Sequence, residues 1–376
     1  MDRLSFFKQG LSSVMEAATS LIGIKKAADS FTEAVADALS EVKSDIGLHL
    51  ATLDNEMYNC VETTLEKVSE IGFTTIEVGA YYQGKVYLLP PAEFKALAKR
   101  VGLKITSAYL KKEPSMTPDQ RAEFYAQAAN EAANEVASEV ANEVASEETS
   151  EAANEVANEV ADEVASKSVK EAAGEAADKI ANAETETEVD ATLKPQPKDP
   201  DTEWWEGAIE TYAQLGCKYI TLAYQPEGND DKAIENFLAY TKLIGKIAAK
   251  HELKLCYHPT IPALMPTEGV SALDKVAERC EAETLLFEID TYEALQAGID
   301  ATELIKRYGK RIAAIHLHDK ENVGDSGMID FDAVVKQAAS SGIDNIYIEV
   351  HCFIQPPINC VERSLLSVES LPSAKL

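Results

Sequence analysis

The chain has 376 residues, a formal net charge of −29 and 45% hydrophobic residues. No uninterrupted apolar run approaches the roughly 18 to 20 residues of a membrane-spanning helix, and no basic stripe could release counterions from phosphates. These features exclude a membrane span, disfavour a nucleic-acid partner and lead to the expectation of a soluble protein, long enough for one (β/α)8 barrel of about 250 residues plus roughly a hundred residues of additions.

The first 45 residues read as an amphipathic helical extension, about Ser5 to Val42. An alternative stays open, because DRLSFFKQG is similar to a twin-arginine export signal in which Leu4 stands at the second arginine. The six cysteines (Cys60, Cys217, Cys256, Cys280, Cys352 and Cys360) include no CxxC pair and read as reduced core residues. The expected compartment is therefore the cytoplasm, with the periplasm as the alternative if the degenerate leader works.

From Asp45 onward, short β-rich runs alternate with helical stretches. The expected strands are IGLHLAT (46–52), TTIEVGAYY (74–82), LKITSAYL (103–110), KYITLAY (218–224), LKLCYHP (253–259), TLLFEID (284–290), RIAAIHLHD (311–319) and NIYIEVH (345–351). Helices are expected over Ala92 to Val101, Asp231 to His251, Tyr292 to Tyr308 and Phe331 to Ser341, and Trp204 and Trp205 open another that packs on the barrel flank. An eightfold βα alternation with apolar strands implies a (β/α)8 TIM barrel, here in two parts, 46–129 and 201–352.

Between the two parts lies an acidic low-complexity insertion, 130–200, built on a four-residue repeat of the type NEVA. Between Glu131 and Asp190 there are 18 acidic residues and 3 lysines, about half of the chain's net charge. At 100° per residue each repeat advances 400°, so its Val stripe drifts by about 40° per repeat and no face stays apolar. A long coiled coil is disfavoured; a solvated helical arm, a helical hairpin and disorder stay open. The last segment, 353–376, reads as a surface-packed tail.

Side chains two apart on a strand share a side. Four strands carry a polar or sulfur pair at that spacing near their C-terminal ends: Cys256 with His258, Glu288 with Asp290, His316 with His318, and Glu349 with His351. Acids and a histidine converging on the rim where barrel enzymes keep their chemistry suit a divalent metal such as Mn, Co, Zn or Mg. The glycines of the loop Gly324 to Gly327 are expected to permit a tight turn.

The stretches FEIDTYEALQAGID, RIAAIHLHD, GDSGMIDF and YIEVH together resemble the sugar phosphate isomerase/epimerase family of xylose isomerase-like TIM barrels, over about 46–115 and 200–352. The resemblance implies a metal held by Asp290, His316 and Glu349. It also implies a small sugar or polyol as substrate, and Glu349, His258 and His318 as the groups that move protons. The family's fourth ligand is a glutamate that doubles as an acid/base group, but YHPTIPAL puts Thr260 and Ala263 where relatives carry a second histidine and that glutamate. Two functions stay open: a metal-dependent isomerase, epimerase or related lyase working by proton transfer next to a carbonyl, and a non-catalytic barrel that binds a carbohydrate or a partner through a degenerate site. The loss at Ala263 leads to the expectation of a poor ketose 3-epimerase.

Overall fold

The computed structural model describes residues 46–146, 197–281 and 283–375. The N-terminal extension and most of the acidic insertion, 147–196, lie outside the described residues. Eight parallel strands run in sequence order and close into a barrel: β1 Ile46–His49, β2 Thr75–Val78, β3 Lys104–Leu110, β4 Tyr219–Leu222, β5 Lys254–Tyr257, β6 Leu286–Asp290, β7 Ile312–His318 and β8 Asn345–Glu349. All eight expected strands form, several of them shorter than the apolar run that announced them. β1, β2 and β7 are buried along their whole length, as parallel strands covered on both faces must be. Among the described residues no helix is long and apolar enough to cross a membrane.

The chain divides into two compact units. The first comprises 46–78, 97–105 and 288–375, and so holds β1, β2, β7, β8, the first two residues of β3 and the end of β6. There β1 lies between β2 and β8, with His49 level with Glu77, while β7 pairs with β8 so that His318 is level with Glu349. The second unit comprises the remaining described residues and holds β4 between β3 and β5.

Helix ends follow local chemistry. The expected single helix Tyr292 to Tyr308 is two helices, Thr291–Gln296 and Ala301–Tyr308. Gly298 takes φ 77°, which ends the first, and the Asp300 side chain accepts from Thr302 N to start the second. The segment read as a tail contains a helix, Pro357–Glu369, which buries Cys360, Val361, Leu365 and Val368 and packs against β8. It supplies the helix that follows β8. The proline pair at its start, Pro356 as the cap and Pro357 as the first helical residue, suits a helix start as well as a loop.

Within the second unit, helix Pro118–Ser146 runs past the expected edge of the acidic insertion at residue 130. Helix Pro200–Leu215 starts on the other side of that insertion, capped by Asp199. The fully buried carboxylates of Asp199 and Asp201 fasten the two sides together: Arg121 reaches Asp199 at 3.2 Å and Asp201 at 2.5 Å, Lys112 reaches Asp201 at 3.1 Å, and the Tyr125 hydroxyl donates to Asp199 at 2.8 Å. In the same unit Trp205 is buried and its indole N–H donates to the Tyr240 hydroxyl at 2.8 Å.

Candidate metal centre

β7 reads IAAIHLH, and its two histidines project to the same side because they are two residues apart. His316 is fully buried and has a carboxylate at each ring nitrogen. Its Nδ1 lies 2.5 Å from Glu349 Oε2. Its Nε2 lies 2.7 Å from Glu77 Oε2 and 2.6 Å from Glu288 Oε1. Glu77 is shared: its Oε2 also lies 2.8 Å from His49 Nδ1, and the His49 and His316 rings are 4.8 Å apart.

A second set extends toward solvent. Asp290 ends β6 and caps the next helix, its Oδ1 accepting from Tyr292 N at 2.7 Å and Glu293 N at 2.8 Å. That fixes the carboxylate so that Oδ2 meets His318 Nδ1 at 2.8 Å. Thr291 locks the same corner, its hydroxyl donating to His318 O at 2.7 Å and accepting from His318 N at 2.9 Å. Glu349 Oε1 lies 2.5 Å from Nε2 of His351, whose side chain is 66% exposed and so marks the way out.

Charge dominates this cluster. Burial works against the His316 imidazolium, yet the charges of Glu288, Glu349 and Glu77 overcome it and hold the ring well above its ordinary pKa. Burial likewise opposes the charged forms of Glu77 and Glu349, and the neighbouring His316 and His49 keep both below the usual carboxylate range. His318 is raised by Asp290 against its own burial.

These donors fit a divalent cation. Glu77, Glu288, Asp290 and Glu349 place four carboxylates in the buried part of the first unit, and protons on His316 and His318 offset only about half of that charge. Glu77 Oε1 and both Glu288 oxygens make no hydrogen bond among the described residues, although Glu288 Oε1 pairs with His316 Nε2 at 2.6 Å. Ligand atoms of Asp290, His316 and Glu349 lie within 4.8 Å of one another, as do those of His49, Glu77 and His316 and those of His318, Glu349 and His351. Oxygen and imidazole donors in such sets suit Mg, Mn, Co or Zn.

The first unit thus brings together Asp290, His316, His318 and Glu349. His258 lies beyond the end of β5 in the second unit, buried, its carbonyl accepting from Gln225 Nε2 at 2.8 Å and its ring edge-on to Tyr109 at 5.2 Å. Ala263 is buried in the short helix Ile261–Leu264, and no acid occupies that position. Sequence reasoning missed His49 and Glu77 and left Glu288 unassigned. A lone charged residue inside each of the apolar runs IGLHLAT and TTIEVG was the available signal. The glycine loop closes on Asp319, whose Oδ2 accepts from Gly324 N at 3.1 Å and Ser326 N at 3.2 Å, so these amides serve a turn.

Residues 191–368 match the family model of the xylose isomerase-like TIM barrel. Among solved structures, a sugar phosphate isomerase/epimerase from Parabacteroides distasonis superposes with a TM-score of 0.62 at 16% identity, covering 89% of this chain and 96% of its own. A D-allulose 3-epimerase from Methylomonas sp. gives 0.52 at 11% identity, with coverages of 89% and 98%. D-Psicose 3-epimerase from Clostridium cellulolyticum gives 0.51 at 12% identity, with coverages of 87% and 99%. At these identities the likeness is one of fold. No curated protein sequence matches the chain.

Proposed function

We infer that this chain, a xylose isomerase-like TIM barrel, is a metal-dependent isomerase, epimerase or related lyase that acts on a sugar or polyol by proton transfer next to a carbonyl. The observation that carries the reading is the buried set of Asp290, His316 and Glu349, with ligand atoms within 4.8 Å of one another. These three residues would hold the cation. A bound divalent cation supplies Lewis acidity that polarises a carbonyl or hydroxyl oxygen.

The chain's own residues do the rest. Glu349 is ionised at neutral pH, because His316 and His49 hold its pKa down against burial, so it is ready to accept a proton from carbon. His318, kept protonated more readily by Asp290, is suited to donate to the sugar oxygen. His258 is the third acid/base candidate, on the chemistry of its ring. Burial of most of this cluster keeps bulk water from competing for the proton.

Ala263 favours a second reading, a barrel that binds a carbohydrate without turning it over, because the acid/base group of a two-base mechanism is missing there. One experiment separates the two. The purified chain, loaded with Mn, Co or Zn, is incubated with ketoses and keto-sugars in D2O and followed by NMR. Deuterium appearing at a carbon next to the carbonyl, and absent with Glu349→Gln, supports the enzyme; stoichiometric metal with no exchange on any sugar supports the binding protein.

A further inference from the structure

The ring of His316 has two edges, and both face carboxylates. The Nδ1 edge, with Glu349 and Asp290, leads to the exposed His351 and carries the proposed function. The Nε2 edge is fully enclosed: Glu77 and Glu288 are 0% exposed and His49 is 2% exposed. A single N–H at Nε2 can serve one oxygen, yet two carboxylates approach it, Glu77 Oε2 at 2.7 Å and Glu288 Oε1 at 2.6 Å. Only the Glu77 contact is a hydrogen bond, so both Glu288 oxygens and Glu77 Oε1 are buried without one among the described residues. A carboxylate in that state is among the costliest groups a protein interior can hold.

We propose a second divalent-cation site on the enclosed edge of His316, formed by Nε2 of that ring with Glu77, Glu288 and His49. It goes beyond the outer site and shares His316 with it, so the ring bridges two cations. Each cation takes the place of one ring proton, and both protons pass to solvent. Four buried carboxylates in one cluster, Glu77, Glu288, Asp290 and Glu349, carry more negative charge than one divalent cation offsets. The donor atoms, now at hydrogen-bond spacing, need to part by only a few tenths of an ångström to sit side by side on a cation with bonds of about 2.0–2.1 Å. The donor set, two carboxylates and imidazole nitrogen, suits Mn, Co or Zn.

The test is a titration of the full chain, stripped with chelator, with Co(II) and separately with Zn(II), reading bound equivalents by elemental analysis and proton release by pH-stat. Two equivalents are expected for the wild type, and one for each of Glu77→Gln, Glu288→Gln and Glu349→Gln. A wild type that takes one equivalent, lost in Glu349→Gln and kept in Glu77→Gln and Glu288→Gln, overturns the enclosed site while leaving the outer one in place. A wild type that takes none overturns both.

Discussion

Asp290 and His318 meet at 2.8 Å, Oδ2 to Nδ1, while the other oxygen of the same carboxylate caps a helix through Tyr292 N and Glu293 N. One side chain thus sets a backbone corner and the charge state of a neighbouring ring. Asp290→Asn keeps a competent cap, so stability should change by no more than about 1 kcal/mol. The metal-free His318 should lose its upward shift and titrate nearer the ordinary value of about 6.5. Because the folded pKa is raised, the contact stabilises most below the unfolded value and fades as pH rises through the folded one. Denaturant melts of chelator-treated wild type and Asp290→Asn should therefore differ more near pH 5.5 than near pH 9, with NMR titration of His318 as the direct check. An unchanged His318 titration would show that Asp290 is not its partner.

Asp199 and Asp201 make an acid-sensitive joint at the base of the insertion. Burial raises both carboxyls, but bonds from Thr202, Tyr125 and Arg121 in one case and Ser115 and Lys112 in the other hold them below their ordinary pKa. A depressed folded pKa gives stability that is complete above the unfolded value of about 3.9 and is lost as pH falls through the folded one. Asp201→Asn should cost about 2 kcal/mol at pH 7, since it takes from Lys112 its only carboxylate and leaves Arg121 with Asp199 alone in a largely buried site. Urea melts should show that gap narrowing toward pH 3; a gap independent of pH would contradict the assignment.

The acidic repeat is proposed as an addition to the barrel. Replacing 147–196 with a short Gly/Ser linker, while keeping Arg121, Tyr125, Asp199 and Asp201, should leave one cooperative melt and the same metal content. Loss of cooperativity would show that the repeat packs on the core. The sequence-based edge at residue 200 would have removed Asp199, the cap of helix Pro200–Leu215, and its loss would be a fault of the cut and not of the repeat.

Ala263 predicts a limit on turnover. Free ketoses should exchange a proton without efficient inversion at carbon 3, since no acid stands in the short helix Ile261–Leu264. Efficient epimerisation by the wild type, measured by sugar chromatography, would show that another group has taken the second role.

The barrel was legible because its strands are continuous apolar runs with turn residues between them, and IAAIHLH announced both a strand and a site. What stayed hidden depends on neighbours. The register that sets His49 level with Glu77 is a relation between two strands, and neither IGLHLAT nor TTIEVG contains it. Glu288 reads as an ordinary companion of Asp290 until His316 arrives from β7 at 2.6 Å. The break at Gly298 is hidden in the sequence because the apolar spacing of Tyr292 to Tyr308 continues across it, while a positive φ and the Asp300 cap are local backbone chemistry.

Metal content decides between a working centre and a relic. The full chain, incubated with Mn, Co and Zn in turn and freed of excess, is compared by elemental analysis with Asp290→Asn, His316→Ala and Glu349→Gln, each checked for a cooperative melt. At least one equivalent in the wild type, with His316→Ala empty and the other two variants depleted, is the predicted result. A folded wild type that retains none of the three metals would contradict it and leave the non-catalytic barrel as the reading of this chain.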